Sequence, residues 1–364
     1  MAIEIITERK GGHRVENIQA LRGIAITLIL MLHIGVYGYR LHITGPISDK
    51  VLHLLQAGVD LFFVISGFAM VMATNGNQGG PAEAAKFALR RAARIYPLYW
   101  AYTLAYLPVF LFVPTAMTRP EGLQGVSIFK SILLLPSRSS PLVGQGWTLI
   151  LEIHFYLLVT LALLFREKWR AKIYAGIGVV TLLCQLAGES LAHAPSAIRI
   201  FSSLYTLDFL TGCAIGWMAT RGINKHSFPA LILGLLGLAT AMLPHPDWNR
   251  VLVFILPVSL LTYGAVAVEA RHKVRFPGWL RFLGDISYSL YLSQILTLSL
   301  LAKICQTTHC ASYLIFACLA VACCIGVAAA SYYWMEKPLL KVSYNGVKSF
   351  TRGSIMGARE PAMT

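Results

Sequence analysis

The chain has 364 residues, of which 56% are hydrophobic and 13% charged; soluble domains carry about 25% charged residues. With a mean hydropathy of +0.63 this composition excludes a soluble globular enzyme and points to a polytopic membrane protein. In a soluble chain a net charge of +15 would suggest nucleic acid. Here the Lys and Arg lie in loops between apolar runs, where membrane topology accounts for them, and no nucleic-acid partner is expected.

Residues 1–16 are polar and of mixed charge. They lack the apolar region and small-residue cleavage site of a secretory signal, so the first apolar segment is expected to remain as a membrane anchor. Ten spans follow, each near the ~20 residues a bilayer needs: about 18–38, 51–73, 95–114, 147–165, 172–188, 203–220, 229–244, 251–268, 284–304 and 311–335. The fifth and seventh are short. The expected fold is all-α, a polytopic transmembrane helix bundle over residues 1–340, with 341–364 a basic cytoplasmic tail expected to be disordered. An N-in, C-in arrangement of ten crossings places 23 Lys and Arg inside and 8 outside, the bias that cytoplasmic loops show.

Arg22 and His33 lie on the first span with ten residues between them, roughly 16 Å apart along a helix. With Arg22 at the membrane surface, His33 lies well inside the bilayer. Spanning a membrane needs no imidazole there, and an ionisable group at that depth is a functional-site hypothesis by default. Histidine also moves protons near neutral pH. Asp60 on the second span, Glu152 on the fourth and Asp208 on the sixth each fall roughly 8–14 Å below the outer surface, a layer His33 also reaches. Asp60 and Glu152 are candidates to orient His33 as a base; the alternative is that each carboxylate hydrogen-bonds a helix pair together. Asp208 is read as packing, and so is His154.

Arg90, Arg91 and Arg94 precede the third span on its inside end, and Arg91 and Arg94 share a helix face. Positive-inside bias supplies some arginines there. A tight cluster also suits phosphate, which the guanidinium fork binds bidentately, and Arg22 can join it. A phosphate site inside and a proton-transfer site ~15–20 Å towards the outside fit a ligand with a phosphate head and a long thin arm ending in a reactive group. Acyl-coenzyme A is such a molecule.

Of the seven cysteines, Cys184, Cys213, Cys318, Cys323 and Cys324 sit in apolar runs and read as small buried hydrophobes. Cys305 and Cys310 flank an outside Gln-Thr-Thr-His loop. They are expected to pair as a disulfide if that side is oxidising, the alternative being two interfacial thiols. With His309 they supply three ligands, one short of a structural zinc site, so no metal is expected.

Six motifs then occur in order: Arg22-x10-His33, Asp60-Leu-Phe-Phe-Val-x-Ser-Gly-Phe68, Arg91-x-x-Arg94-Ile-x-Pro97, Trp147-x-Leu-x-x-Glu152-x-x-Phe-Tyr156, Gly284-Asp-Ile-Ser-Tyr-Ser-Leu-Tyr-Leu292 and Glu336-x-Pro338. In these the chain resembles the integral-membrane acyltransferase-3 family, whose members O-acylate extracytoplasmic polysaccharides and related molecules. The resemblance implies that His33 is the catalytic histidine and that Arg22, Arg91 and Arg94 are needed for activity. It also implies acyl-CoA as donor, a membrane-external sugar or polysaccharide hydroxyl as acceptor, and a bacterial inner membrane as location. Transfer would be direct or through an acyl-histidine. The chain departs from the family at Gln294, where a histidine is common, and is read as the stand-alone form without an appended extracytoplasmic domain. Tyr37, Trp147 and Trp248 can stack on a sugar, a role that competes with the ordinary interfacial place of such residues. The rival reading is a proton-coupled transporter with His33 and the carboxylates as relay; the inverted repeats or paired broken helices of such proteins are not found.

Overall fold

A backbone crossing a bilayer must satisfy its own N–H and C=O groups, and for apolar runs of this length the helix does so. The computed structural model describes residues 15–41, 47–112, 127–137, 139–187, 195–243, 250–308 and 312–357. Among them every regular element is helical: α1 Glu16–Arg40, α2 Asp49–Leu55, α3 Ala57–Thr74, α4 Pro81–Phe112, α5 Ile128–Ile132, α6 Gly146–Leu163, α7 Glu167–Leu186, α8 Ser196–Arg199, α9 Tyr205–Thr220, α10 Ser227–Ala239, α11 Leu256–His272, α12 Gly278–Asp285, α13 Ser287–Thr307, α14 Tyr313–Ser331 and α15 Lys337–Gly357.

Seven helical stretches among the described residues are long and apolar enough to cross a membrane: 16–40, 49–74, 81–112, 146–163, 251–272, 287–307 and 313–349. They correspond to seven of the ten expected spans. The other three fall on α7, α9 and α10, which are shorter or carry charge in their first turns. The stretch from 341, expected to be a disordered tail, continues as helix to Gly357, because Leu340 and Tyr344 lie one turn apart on a buried stripe and α15 packs along α4. The proposed Cys305–Cys310 pairing involves Cys310, which lies outside the described residues, as does Trp248.

The chain forms two compact units. The first comprises residues 1–75 and 174–328. Its core joins Leu21 and Ala25 of α1, Leu61, Val64 and Phe68 of α3, and Val258 and Ala265 of α11. Glycines allow the closest helix contacts. A Cβ on Gly212 of α9 would stand 1.9 Å from the Val64 carbonyl oxygen, and one on Gly67 of α3 would stand 1.9 Å from that of Phe209; the α3–α9 pair is therefore a backbone-to-backbone contact of the small-residue kind. The same device joins α1 to α12, where Gly23 meets the Leu280 carbonyl and Gly284 meets that of Gln19.

The start of α1 is fixed by polar groups that the sequence alone does not connect. Helix N-termini leave amides unpaired, and here the Glu269 carboxylate accepts from Glu16 N at 2.9 Å and Asn17 N at 2.7 Å. Asn17 is fully buried. It donates to the Ala265 and Val274 carbonyls and accepts from Phe276 N. Glu16 pairs with Arg275 and Arg281.

The second unit comprises residues 76–173 and 329–364. Here α4 packs on α6 and α15. One side of α4 is an aromatic row: Tyr96, Tyr99 and Trp100 donate to the carbonyls of Leu133, Ser131 and Ile132, pinning the α5 turn to the helix. Tyr102 donates to Ser331 Oγ at 2.9 Å.

Candidate active site

Arg22 and His33 are both half-buried on α1. Eleven residues make three helical turns, so they share one face. Arg22 Nη2 donates to Ser287 Oγ, at the first residue of α13, at 2.8 Å. One turn earlier Gln19 Nε2 donates to Asp285 Oδ1 at 2.9 Å. Near the other end Tyr37, itself buried, bonds Ser299 Oγ at 2.7 Å. α1 and α13 therefore run side by side in the same direction, and the Arg22–His33 face of α1 lines a seam with α13. Tyr37, a candidate sugar platform from sequence, is spent on that seam.

Asp60 is placed differently from the expectation. α1 and α3 run antiparallel: Gly35 faces Leu52, and Gly58 faces Ala25 and Ile29. That register sets Asp60 level with about residue 25, roughly 12 Å inward of His33 along the axis. Asp60 is fully buried and accepts from Arg250 Nη2 at 2.6 Å. Asp208, also fully buried, is an electrostatic neighbour of Asp60 and Arg250, and neither of its carboxylate oxygens has a hydrogen-bond partner among the described residues. The Arg250 guanidinium lies 4.5 Å from the Tyr205 ring centroid and 5.3 Å from that of Phe254. One cation thus serves two carboxyl groups from α3 and α9. In the ten-span arrangement Arg250 is one of the eight outside Lys and Arg. Its only sequence signal is a lone arginine at the outer end of an apolar run, against the charge bias.

In the second unit, Arg91 is buried, with its guanidinium carbon 4.9 Å from the Phe87 ring centroid and 5.5 Å from that of Tyr156. Its Nε is buried without a hydrogen-bond partner. Glu152 accepts from the Tyr156 hydroxyl one turn away. Arg94 has Glu152 of α6 and Glu336, the residue before α15, as its acidic neighbours. Arg90 contributes its backbone carbonyl to the Tyr344 hydroxyl at 3.4 Å. The helical bond that would end on the Ala93 carbonyl is absent because Pro97 has no N–H. Arg91 and Arg94 lie about one turn apart on α4, with the Arg91 guanidinium against two aromatic rings. Trp147 at the start of α6 is 41% exposed. Among the described residues no group of three or more His, Cys, Asp or Glu is set to hold a metal.

A family model described as an acyltransferase domain, acyltransferase-3, matches residues 15–333. Exopolysaccharide production protein ExoZ of Rhizobium meliloti is 29% identical over 301 residues, covering 78% of this chain and 89% of the relative. Nodulation protein 10 of Rhizobium leguminosarum bv. viciae is 23% identical, covering 92% and 95%. Peptidoglycan O-acetyltransferase OatA of Listeria monocytogenes is 22% identical over 95% of this chain, which spans 58% of that longer protein. No solved structure matches the chain significantly.

Proposed function

The chain belongs to the acyltransferase-3 family and is a multi-pass membrane acyltransferase, and from this membership and the Arg22–His33 face we propose that it moves an acyl group from cytoplasmic acyl-CoA to a hydroxyl of an extracytoplasmic sugar or polysaccharide. The donor phosphates bind at Arg91 and Arg94, with Arg90 adding to the cationic surface; Arg22 is a further donor-binding residue of the proposal. The donor's acyl group is acetyl, as the name of the Listeria relative suggests. The location is a bacterial inner membrane, with both termini in the cytoplasm.

In this reading His33 accepts the proton of the acceptor hydroxyl as its oxygen attacks the thioester carbonyl. The new C–O bond forms, the C–S bond breaks, and the imidazolium passes its proton to the departing thiolate, so CoA leaves as the thiol and the imidazole is regenerated. Glu152, bonded to Tyr156 and beside Arg94, fixes the arginine pair. Asp60, engaged by Arg250, holds α3 in register.

The observation that carries the proposal is the placing of an arginine and a histidine three turns apart on one helix face, with the arginine bonded to the first residue of a parallel helix. The test is incubation of purified protein, in lipid nanodiscs, with acetyl-CoA labelled in the acetyl group and a surface polysaccharide from the source strain. Free CoA thiol and label on the polysaccharide are expected in equal amounts. Absence of both overturns the reading.

A further inference from the structure

Gln294 lies on α13 with no exposed surface. Its Nε2 donates weakly to Tyr291 O at 3.4 Å, and its Oε1 is buried without a hydrogen-bond partner. A buried amide carbonyl left unpaired is destabilising, and a leucine of similar size would avoid that cost. The position of the side chain says what the oxygen is for. Ser287, which receives the Arg22 guanidinium, is seven residues before Gln294. Seven residues are close to two turns, so the two side chains share a face of α13, the face that meets the Arg22–His33 face of α1. Starting from the Arg22–Ser287 bond, Gln294 rises roughly 10 Å and His33 roughly 16 Å along the seam. Gln294 thus lies between the cationic entrance and the histidine, nearer the histidine.

We propose that Gln294 is a donor-binding residue, whose Oε1 accepts the hydrogen bond of an amide N–H on the pantetheine arm of acyl-CoA as that arm passes from Arg22 to His33. The inference rests on the acyl-CoA reading given above. The arm suits the position: it is thin and mostly apolar, and it carries amide N–H donors between its phosphates and its sulfur. An apolar acyl chain or a lipid tail offers no donor to a buried carbonyl.

The experiment compares wild-type protein with Gln294→Leu and Gln294→Met in nanodiscs, measuring KM for acetyl-CoA, kcat and the thermal unfolding midpoint. A neutral hydrogen bond is worth roughly 0.5–1.5 kcal/mol, so both variants should raise KM roughly three- to tenfold with kcat within about twofold of wild type. Their unfolding midpoints should stay level or rise, because the orphan carbonyl is gone. An unchanged KM in both variants overturns the assignment. So does a lowered midpoint, or failure of both variants to accumulate, since either outcome makes Gln294 a packing residue. Wild-type protein that releases no CoA from acetyl-CoA overturns the donor reading, and this inference with it.

Discussion

His33→Ala removes the only imidazole on α1 and with it the group suited to move a proton near neutral pH. Positioned acid–base groups contribute typically 10²–10⁴-fold, so acyl transfer should fall at least about 100-fold while the protein still inserts; CoA release at the wild-type rate would remove His33 from the chemistry. Arg91→Ala should weaken acetyl-CoA binding roughly tenfold, the worth of one charged hydrogen bond, as measured by titration with labelled CoA. Arg91→Lys should recover only part of it, because an ammonium lacks the planar fork. A third case concerns stability. Arg250→Ala leaves Asp60 and Asp208 buried together without their cation, and breaking a buried pair costs on the order of 3–5 kcal/mol. Adding Asp60→Asn to Arg250→Ala should return most of the lost thermal stability; a double variant no more stable than Arg250→Ala would show that the carboxylate is not the source of the loss. The sequence made Arg22 and His33 legible because their spacing is a whole number of turns on a single helix. It could not make the partner of Asp60 legible. That pairing depends on the register between α1, α3 and α9, and on an arginine separated from Asp60 by 190 positions.

At the scale of elements, register is set by glycine. Gly67 and Gly212 let α3 and α9 meet backbone to backbone, and Asp60 and Asp208 are carried on those same two helices. A methyl group on Gly212 would lie 1.9 Å from the Val64 carbonyl oxygen, so the helices must part. Overpacking typically costs 1–3 kcal/mol and occasionally more. Gly212→Ala should lower the unfolding midpoint clearly, whereas Gly176→Ala, with no atom within 4 Å of its Cβ, should not. Equal midpoints for the two would mean that α3 and α9 are not in contact through this face. Long apolar helices were legible from composition alone. The broken helix α12–α13 was not: residues 284–292 read as the beginning of one span, yet α12 ends at Asp285 and α13 begins at Ser287. The break lets Gly284 lie against Gln19 while Ser287 turns to Arg22, a tertiary requirement that hydropathy does not report.

For the whole molecule, the distribution of charge bears on whether α7, α9 and α10 cross the membrane. The α9 helix has 16 residues, about 24 Å of rise against a hydrocarbon core of ~30 Å, so length alone argues against a crossing. With an inside N-terminus and only the seven long stretches crossing, the chain after α11 would change sides. Lys and Arg would then divide as 17 inside and 14 outside, close to no bias. Ten crossings divide them as 23 and 8, and local bilayer thinning accommodates a short helix for a fraction of a kcal/mol per Å. The two arrangements differ at Lys273 and Lys348, which are inside with ten crossings and outside with seven, and agree on Ser139, which is outside in both. Single cysteines at these three positions, in a background without native cysteines, can be probed on intact cells with a membrane-impermeant maleimide. Ser139→Cys should label at once. Lys273→Cys and Lys348→Cys should label only after the cells are permeabilised. Labelling of both lysine positions on intact cells would establish seven crossings and move the chain after α11 to the opposite side of the membrane.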